Sequence, residues 1–195
     1  VARMTDGREQ GNRGSLTVVV GCMFSGKSEF LVSQLEEAAR RGRATAAFKH
    51  SSDNRYCHRD IASHTGRRFR AMAVPEASRI ADLAKVAEVV AIDEGQFFAE
   101  DLVDVCRELV VAGKEVLVAG LDLDSWGLPF GPMPGLAGTA DRVIRLQAVC
   151  ARCGRPADHT QRVAPITGQK MVGGADCYEP RCAACFEAPP IEKRC

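Results

Sequence analysis

"VVVGCMFSGKSEF", residues 18–30, is a run of β-branched residues that breaks into glycines around a lysine. Successive valines suit a strand buried on both faces. The residues that follow, "SEFLVSQLEEAARR" (28–41), carry apolar side chains at helical spacing. Between the two, Gly21 to Ser28 fits G-x-x-x-x-G-K-[ST]. In the order strand, glycine loop, helix, this pattern becomes a structural statement. The loop turns backbone N–H groups onto phosphate oxygens, and the helix N-terminus adds partial positive charge. Gly21, Cys22, Met23, Phe24, Ser25, Gly26, Lys27 and Ser28 are therefore the expected seat of a nucleotide. Lys27 is expected to reach the β and γ phosphates, and Ser28 to offer its hydroxyl to Mg²⁺.

Working outward, the same alternation recurs. "ATAAF" (44–48), "EVVAID" (88–93) and "EVLVAG" (115–120) read as strands; a helix is expected from near Pro75, and another over "EDLVDVCRELVVAG" (100–113), closed by glycine. Repeated strand–helix–strand with short apolar strands means an α/β fold, a parallel sheet flanked by helices. The stretch from His50 to Arg68 reads as polar and irregular. After Cys150, Gly, Pro and Cys displace the helical patterns. This divides the chain into a flexible leader (1–15), a nucleotide-binding α/β domain (16–149) and a small C-terminal zinc-binding domain (150–195).

Composition narrows the function. The chain has 195 residues, 46% hydrophobic, with a formal net charge of +1, which gives no reason to expect nucleic acid or membrane as a partner. The basic clusters "RRGR" (40–43) and "RRFR" (67–70) have no interleaved aromatics and read as solvated faces or loop ends. No apolar run approaches the roughly 20 residues that span a bilayer. The polar, glycine-rich N-terminus does not read as a secretory signal, so a cytoplasmic location is expected. Nine cysteines in such a chain are expected to be thiols or metal ligands.

"AIDEGQFF" (91–98) ends a strand in two consecutive acids. Asp93, at the carboxyl end of an apolar strand after the glycine loop, is the expected second holder of Mg²⁺. Alternation along the strand would point Glu94 away from Asp93, toward a different reactant, where a carboxylate accepts a proton from an attacking oxygen. The pair implies that a γ-phosphate moves to an oxygen and leaves open whose oxygen that is. Cys150 and Cys153 form one C-x-x-C, and Cys182 and Cys185 another. Four thiolates complete a tetrahedral Zn²⁺, so the metal is expected to be structural. It clips both ends of a long loop, residues 154–181, suited to covering something and excluding water. Cys22 and Cys106 read as small apolar fillers, and the four histidines as loop or surface residues.

The order "MFSGKS", "DNRY", "DEGQFF", "PFG", C-x-x-C, "GGADCY", C-x-x-C resembles the type II thymidine kinases from about Leu16 to Cys185. The resemblance implies transfer of the ATP γ-phosphate to the 5′-hydroxyl of thymidine. It implies a RecA-like core, a zinc-held "lasso" over the nucleoside, a homotetramer, and feedback by dTTP. By position, it assigns Asp53 and Arg55 to the phosphates, with Arg55 neutralising charge that develops during transfer. It assigns Asp93 to Gln96 to the second nucleotide segment, with Glu94 as catalytic base beside Lys27 and Arg55. It places Met23, Phe97, Leu121, Ser125, Phe130 and Thr160 at the thymidine, with Gln169, Lys170, Met171, Val172 and Gly173 supplying lasso backbone and Tyr178 its tyrosine. The chain departs from the family at Ser125 and Trp126, where members carry Phe and then Arg, and at Leu128, a commonly acidic position. Trp126 is expected to stand in for the lost aromatic, and deoxyuridine to be a second substrate. The rival reading from the residues is an ATPase whose zinc ribbon binds nucleic acid or protein.

Overall fold

The computed structural model describes residues 13–53, 59–63, 66–165 and 173–190. In chain order its elements are β1 (Ser15–Val20), α1 (Lys27–Arg40), β2 (Thr45–His50), β3 (Asp60–Ala62), β4 (Arg68–Arg70), β5 (Met72–Val74), α2 (Ser78–Leu83), β6 (Val89–Asp93), a 3₁₀ turn (Gly95–Phe97), α3 (Leu102–Val111), β7 (Glu115–Gly120), α4 (Met133–Thr139), β8 (Arg142–Arg145), β9 (Ala148–Val149), β10 (Pro156–Ala157), β11 (His159–Arg162) and β12 (Tyr178–Arg181).

Six strands form one parallel sheet in the order β5-β2-β6-β7-β1-β8. Both faces are covered, which explains the unbroken apolar runs. Val18 and Val20 of β1 join the core beneath α3 and α4 with Phe48, Ile92, Val118, Leu102 and Met133. Val19, one residue out of phase, packs on the other face with Leu31, Val32 and Leu35 of α1. Beyond Arg145 the chain leaves this sheet for two-stranded ladders, β9 with β10 and β11 with β12.

Three expectations change. The helix placed near Pro75 begins only at Ser78; Pro75 lies in the link from β5 and its carbonyl oxygen is 3.1 Å from a ring nitrogen of His50. The stretch expected to be irregular up to Arg68 contains β3, which pairs with β4 as an antiparallel hairpin. "RRFR" is therefore a solvated face of that hairpin, with Arg67, Arg68 and Arg70 exposed, and no loop end. Arg67 pairs with Glu29 at 2.6 Å and with Glu36, both on α1, clamping the hairpin to that helix, and its pKa is raised chiefly by the hydrogen bond to Glu29. His50 ends β2 edge-on to Phe98 at 4.9 Å, and His159 stacks on Phe186 at 4.6 Å from within β11, so neither is a loop residue. His58, His64, Cys57 and Cys195 lie outside the described residues.

Candidate active site

The carboxyl ends of β1, β2, β6 and β7 lie together, as parallel register dictates; Lys49 of β2 stands opposite Asp93 of β6. In α/β sheets this edge is where ligands sit. A cavity of about 230 Å³ opens there, lined by Lys27, Ser28, Lys49, Asp53, Asp93 and Glu94, with Asp60 to Ser63 of the hairpin as one wall.

The glycine loop leaves β1 at Gly21, whose φ is +146°; a Cβ there would meet Leu146 O at 2.1 Å. Gly26, with φ +87°, caps α1 in the left-handed conformation that glycine adopts without strain. Phe24 is left-handed without being glycine, a strain of about 1–3 kcal/mol that cores sustain mainly at functional sites. Lys27 Nζ donates to Cys22 O at 2.7 Å, curling over the loop. Ser28 Oγ donates to Asp93 Oδ2 at 2.9 Å, so the hydroxyl and carboxylate expected to share a cation are already adjacent. Hard oxygen donors of this kind suit Mg²⁺.

Strand alternation does not set the direction of Glu94. β6 stops at Asp93, whose Oδ1 accepts from Glu94 N at 3.0 Å, and Glu94 turns left-handed (φ 55°, ψ 41°) to start the 3₁₀ turn. Gln96 then fixes the Glu94 side chain. It is wholly buried, its Nε2 donates to Glu94 Oε2 at 2.5 Å, and its Oε1 accepts from Leu121 N at 3.0 Å. Gln96 is thus engaged with Glu94 and β7's exit rather than lining the cavity.

Sequence reasoning missed Lys49. It is 2% exposed and ion-paired at 3.1 Å with Asp53, itself 5% exposed. A lysine directly after the apolar run "ATAAF" (44–48), four residues before an aspartate, was the available signal.

Next to the polar half lies an apolar one. Met23, Leu121, Phe130 and Tyr178 form a buried cluster, against which Phe24, Phe97 and Cys177 pack. Phe97 and Phe130 meet edge to face at 5.9 Å. Thr160 Oγ1 accepts from Met23 N at 3.0 Å. The structure therefore brings together Met23, Phe97, Leu121, Phe130, Thr160 and Tyr178. Gly173 abuts Tyr178, where a Cβ would come 3.4 Å from the ring. Arg55, Gln169, Lys170, Met171 and Val172 lie outside the described residues. Ser125 and Trp126 do not join the cluster. Asp124 Oδ1 accepts from Trp126 N and Leu128 N, and this turn carries both residues into a separate cleft with Gln161, Arg162 and Pro189. Trp126, expected to stand in for an aromatic over the base, lines this cleft and not the apolar cluster.

Cys150, Cys153, Cys182 and Cys185 hold their Sγ atoms within 4.8 Å of one another, with Cys153 and Cys182 at 3.6 Å. Tetrahedral zinc–thiolate bonds of about 2.3 Å put sulfurs about 3.8 Å apart, so the set fits zinc. Arg155 Nε donates to Cys153 Sγ at 3.4 Å and pulls that thiol down to about 6, favouring the thiolate a metal needs. Burial, by contrast, pushes the Cys22 thiol up.

The family profile described as Thymidine kinase matches residues 14–186. The chain belongs to the thymidine kinase family. A thymidine kinase of Rhodothermus sp. (strain ITI 518) is 44% identical over 93% of this chain and 85% of its own length. One from Coprothermobacter proteolyticus is 46% identical over 90% of this chain and 92% of its own, and one from Bacteroides fragilis is 36% identical over 96% and 94%. Among solved structures, the flagellar accessory protein FlaH from Methanocaldococcus jannaschii superposes with a TM-score of 0.52 over 75% of this chain and 76% of its own, at 12% identity. That likeness is one of fold. No described helix is long and apolar enough to cross a membrane.

Proposed function

We propose that the chain transfers the γ-phosphate of ATP to the 5′-hydroxyl of thymidine, in nucleotide salvage. The observation that carries this reading is a junction. The loop with Lys27, Ser28 and Asp93 meets the apolar cluster at Met23 and Leu121, which line the cavity too, and Glu94 lines it beside them.

In this reading the backbone of Gly21 to Ser28 and Lys27 hold the triphosphate, while Met23, Phe97, Leu121, Phe130 and Tyr178 enclose the thymine and sugar. Ser28 and Asp93 would hold Mg²⁺, with Asp53 near the phosphates; the ion supplies charge neutralisation on the phosphate oxygens. Glu94, held by Gln96, accepts the 5′-hydroxyl proton as that oxygen attacks. Lys49 adds a buried cation to the site besides Lys27, and Arg55, by the family resemblance, neutralises charge that develops on the transferring group. Zn²⁺ on Cys150, Cys153, Cys182 and Cys185 would supply structure only, closing the base of the lasso that carries Gln169 to Gly173. Excluding water there separates transfer from ATP hydrolysis. The division at residues 16–149 and 150–195, a homotetramer, dTTP feedback, acceptance of deoxyuridine and a cytoplasmic location belong to the same proposal.

The test is ADP release from Mg·ATP with and without thymidine, with the nucleoside product identified by chromatography. Thymidine-dependent ADP with equimolar thymidine monophosphate is expected. ADP release indifferent to nucleosides would overturn the reading in favour of an ATPase.

A further inference from the structure

The phosphate loop is tied to the C-terminal ladders at two successive residues. Cys22, 2% exposed, donates Sγ–H to Ala157 O at 3.3 Å, and Met23 N–H donates to the buried Thr160 Oγ1 at 3.0 Å. Both anchors stand one ladder step from the cysteine knuckles. Ala157 of β10 pairs with Ala148 of β9, which runs into Cys150; Thr160 of β11 pairs with Pro180 of β12, which runs into Cys182. Cys22 itself packs in one small buried cluster with Ala157, Cys150 and Cys182. A thiol is small enough to pack within that cluster and still has a proton to donate.

A phosphate loop binds through the directions of its backbone N–H groups, so affinity depends on how far those directions are set before the ligand arrives. We propose that Cys22 and Thr160 are positioning residues through which the four-cysteine centre shapes the phosphate loop, so that metal at the knuckles raises nucleotide affinity even with no nucleoside bound. This rests on the reading of Gly21 to Ser28 as the ATP site. Thr160 then acts on the triphosphate half of the reaction through Met23, besides bordering the nucleoside half.

The test is a fluorescence titration with Mg²⁺ and the N-methylanthraniloyl derivative of ADP, without thymidine, on the zinc-loaded chain, with zinc content measured for every protein. Cys22→Ala and Thr160→Val are expected to retain zinc and to weaken binding about five- to tenfold, the scale of one buried hydrogen bond. Cys22→Ser and Thr160→Ser, which restore the donor and the acceptor, should recover wild-type affinity. Cys106→Ala, a comparable truncation on the buried face of α3, should leave affinity unchanged. Stripping zinc from the wild type should weaken binding as the variants do. Zinc-retaining Cys22→Ala and Thr160→Val proteins that bind with wild-type affinity would overturn the inference. So would equal weakening in Cys106→Ala, which would trace the effect to general destabilisation. A wild type that binds no adenine nucleotide would instead remove the reading of the loop, and this inference with it.

Discussion

Replacing Gln96 by leucine tests whether one buried amide holds both the fold and the base. The substitution roughly keeps volume and deletes both polar atoms. Leu121 N–H, now bonded to Gln96 Oε1, loses its acceptor in a buried place, a cost of about 1–3 kcal/mol. Glu94 loses the Gln96 Nε2 donor, but it lines the cavity and can turn to water, so its share is smaller. A total near ~2 kcal/mol lowers Tm by roughly 4–8 °C in a chain of this size. Activity should fall further than stability suggests, because a displaced base costs on the order of 10²-fold. Gln96→Glu separates the two effects. It keeps an acceptor for Leu121 N–H, so Tm should largely recover, yet it sets a second carboxyl at hydrogen-bond distance from Glu94. Two such carboxyls hold a shared proton to higher pH than one alone. A base must be deprotonated to act, so the acid limb of log kcat/KM should move to higher pH. Thermal melts by circular dichroism and thymidine-dependent ADP release against pH measure these. A Gln96→Leu protein with wild-type Tm and kcat, or a Gln96→Glu protein with an unmoved acid limb, would refute the reasoning.

Lys49→Met leaves the Asp53 carboxylate buried without its lysine; urea unfolding should show a loss of about 3–5 kcal/mol, partly recovered by adding Asp53→Asn. Trp126→Ala should cost about 3–5 kcal/mol of stability while leaving the thymidine KM unchanged at temperatures well below melting, since the indole lies in its own cleft; a raised KM would return Trp126 to the nucleoside. Burial pushes the Cys106 thiol up to about 12 from 9.0. Iodoacetamide mapping by mass spectrometry should therefore find it unlabelled in the native chain at pH 8 and labelled in urea. Because the native state keeps this proton while the unfolded chain releases it above about pH 9, stability should decline with rising pH between about 9 and 12; unfolding midpoints that rise across this window would contradict the assignment.

The readable parts of the sequence were those where local pattern and tertiary demand coincide. β1, β2, β6 and β7 are covered on both faces and so run apolar; α1 and α3 bury one stripe each. β8 went unread because, as an edge strand, "RVIR" keeps Arg142, Val143 and Arg145 exposed and shows no apolar run. α4, "MPGLAGT", has a proline and two glycines in seven residues, contrary to any helix propensity; its Met133 and Leu136 are buried beneath the sheet. In the site, Gly21 to Ser28 was legible because the chemistry lies within eight contiguous residues. The hold of Gln96 on Glu94 was not, because it depends on Leu121, one residue past the end of β7 and remote in sequence. A left-handed φ at a glutamate leaves no mark in composition, so strand alternation was no guide to the direction of Glu94, which lines the same cavity as Asp93. The cleft that holds Trp126 was not legible either, because position in a motif says nothing of the turn that Asp124 imposes.

The neighbours of β1 bear on how the chain is made. Ser15 pairs with Glu115, and Thr17 with Arg142. The strand that launches the phosphate loop emerges from the ribosome before either of its flanks. Until β7 and then β8 appear, Leu16 to Val20 is an apolar segment with no sheet to enter, whereas β2 can take β5 and β6 as soon as they are translated. Long-range parallel pairing of this kind is slow and leaves edges exposed meanwhile. A chain halted before Arg142 would keep one side of β1 bare, so the nucleotide loop would be among the last parts of the molecule to acquire its final form.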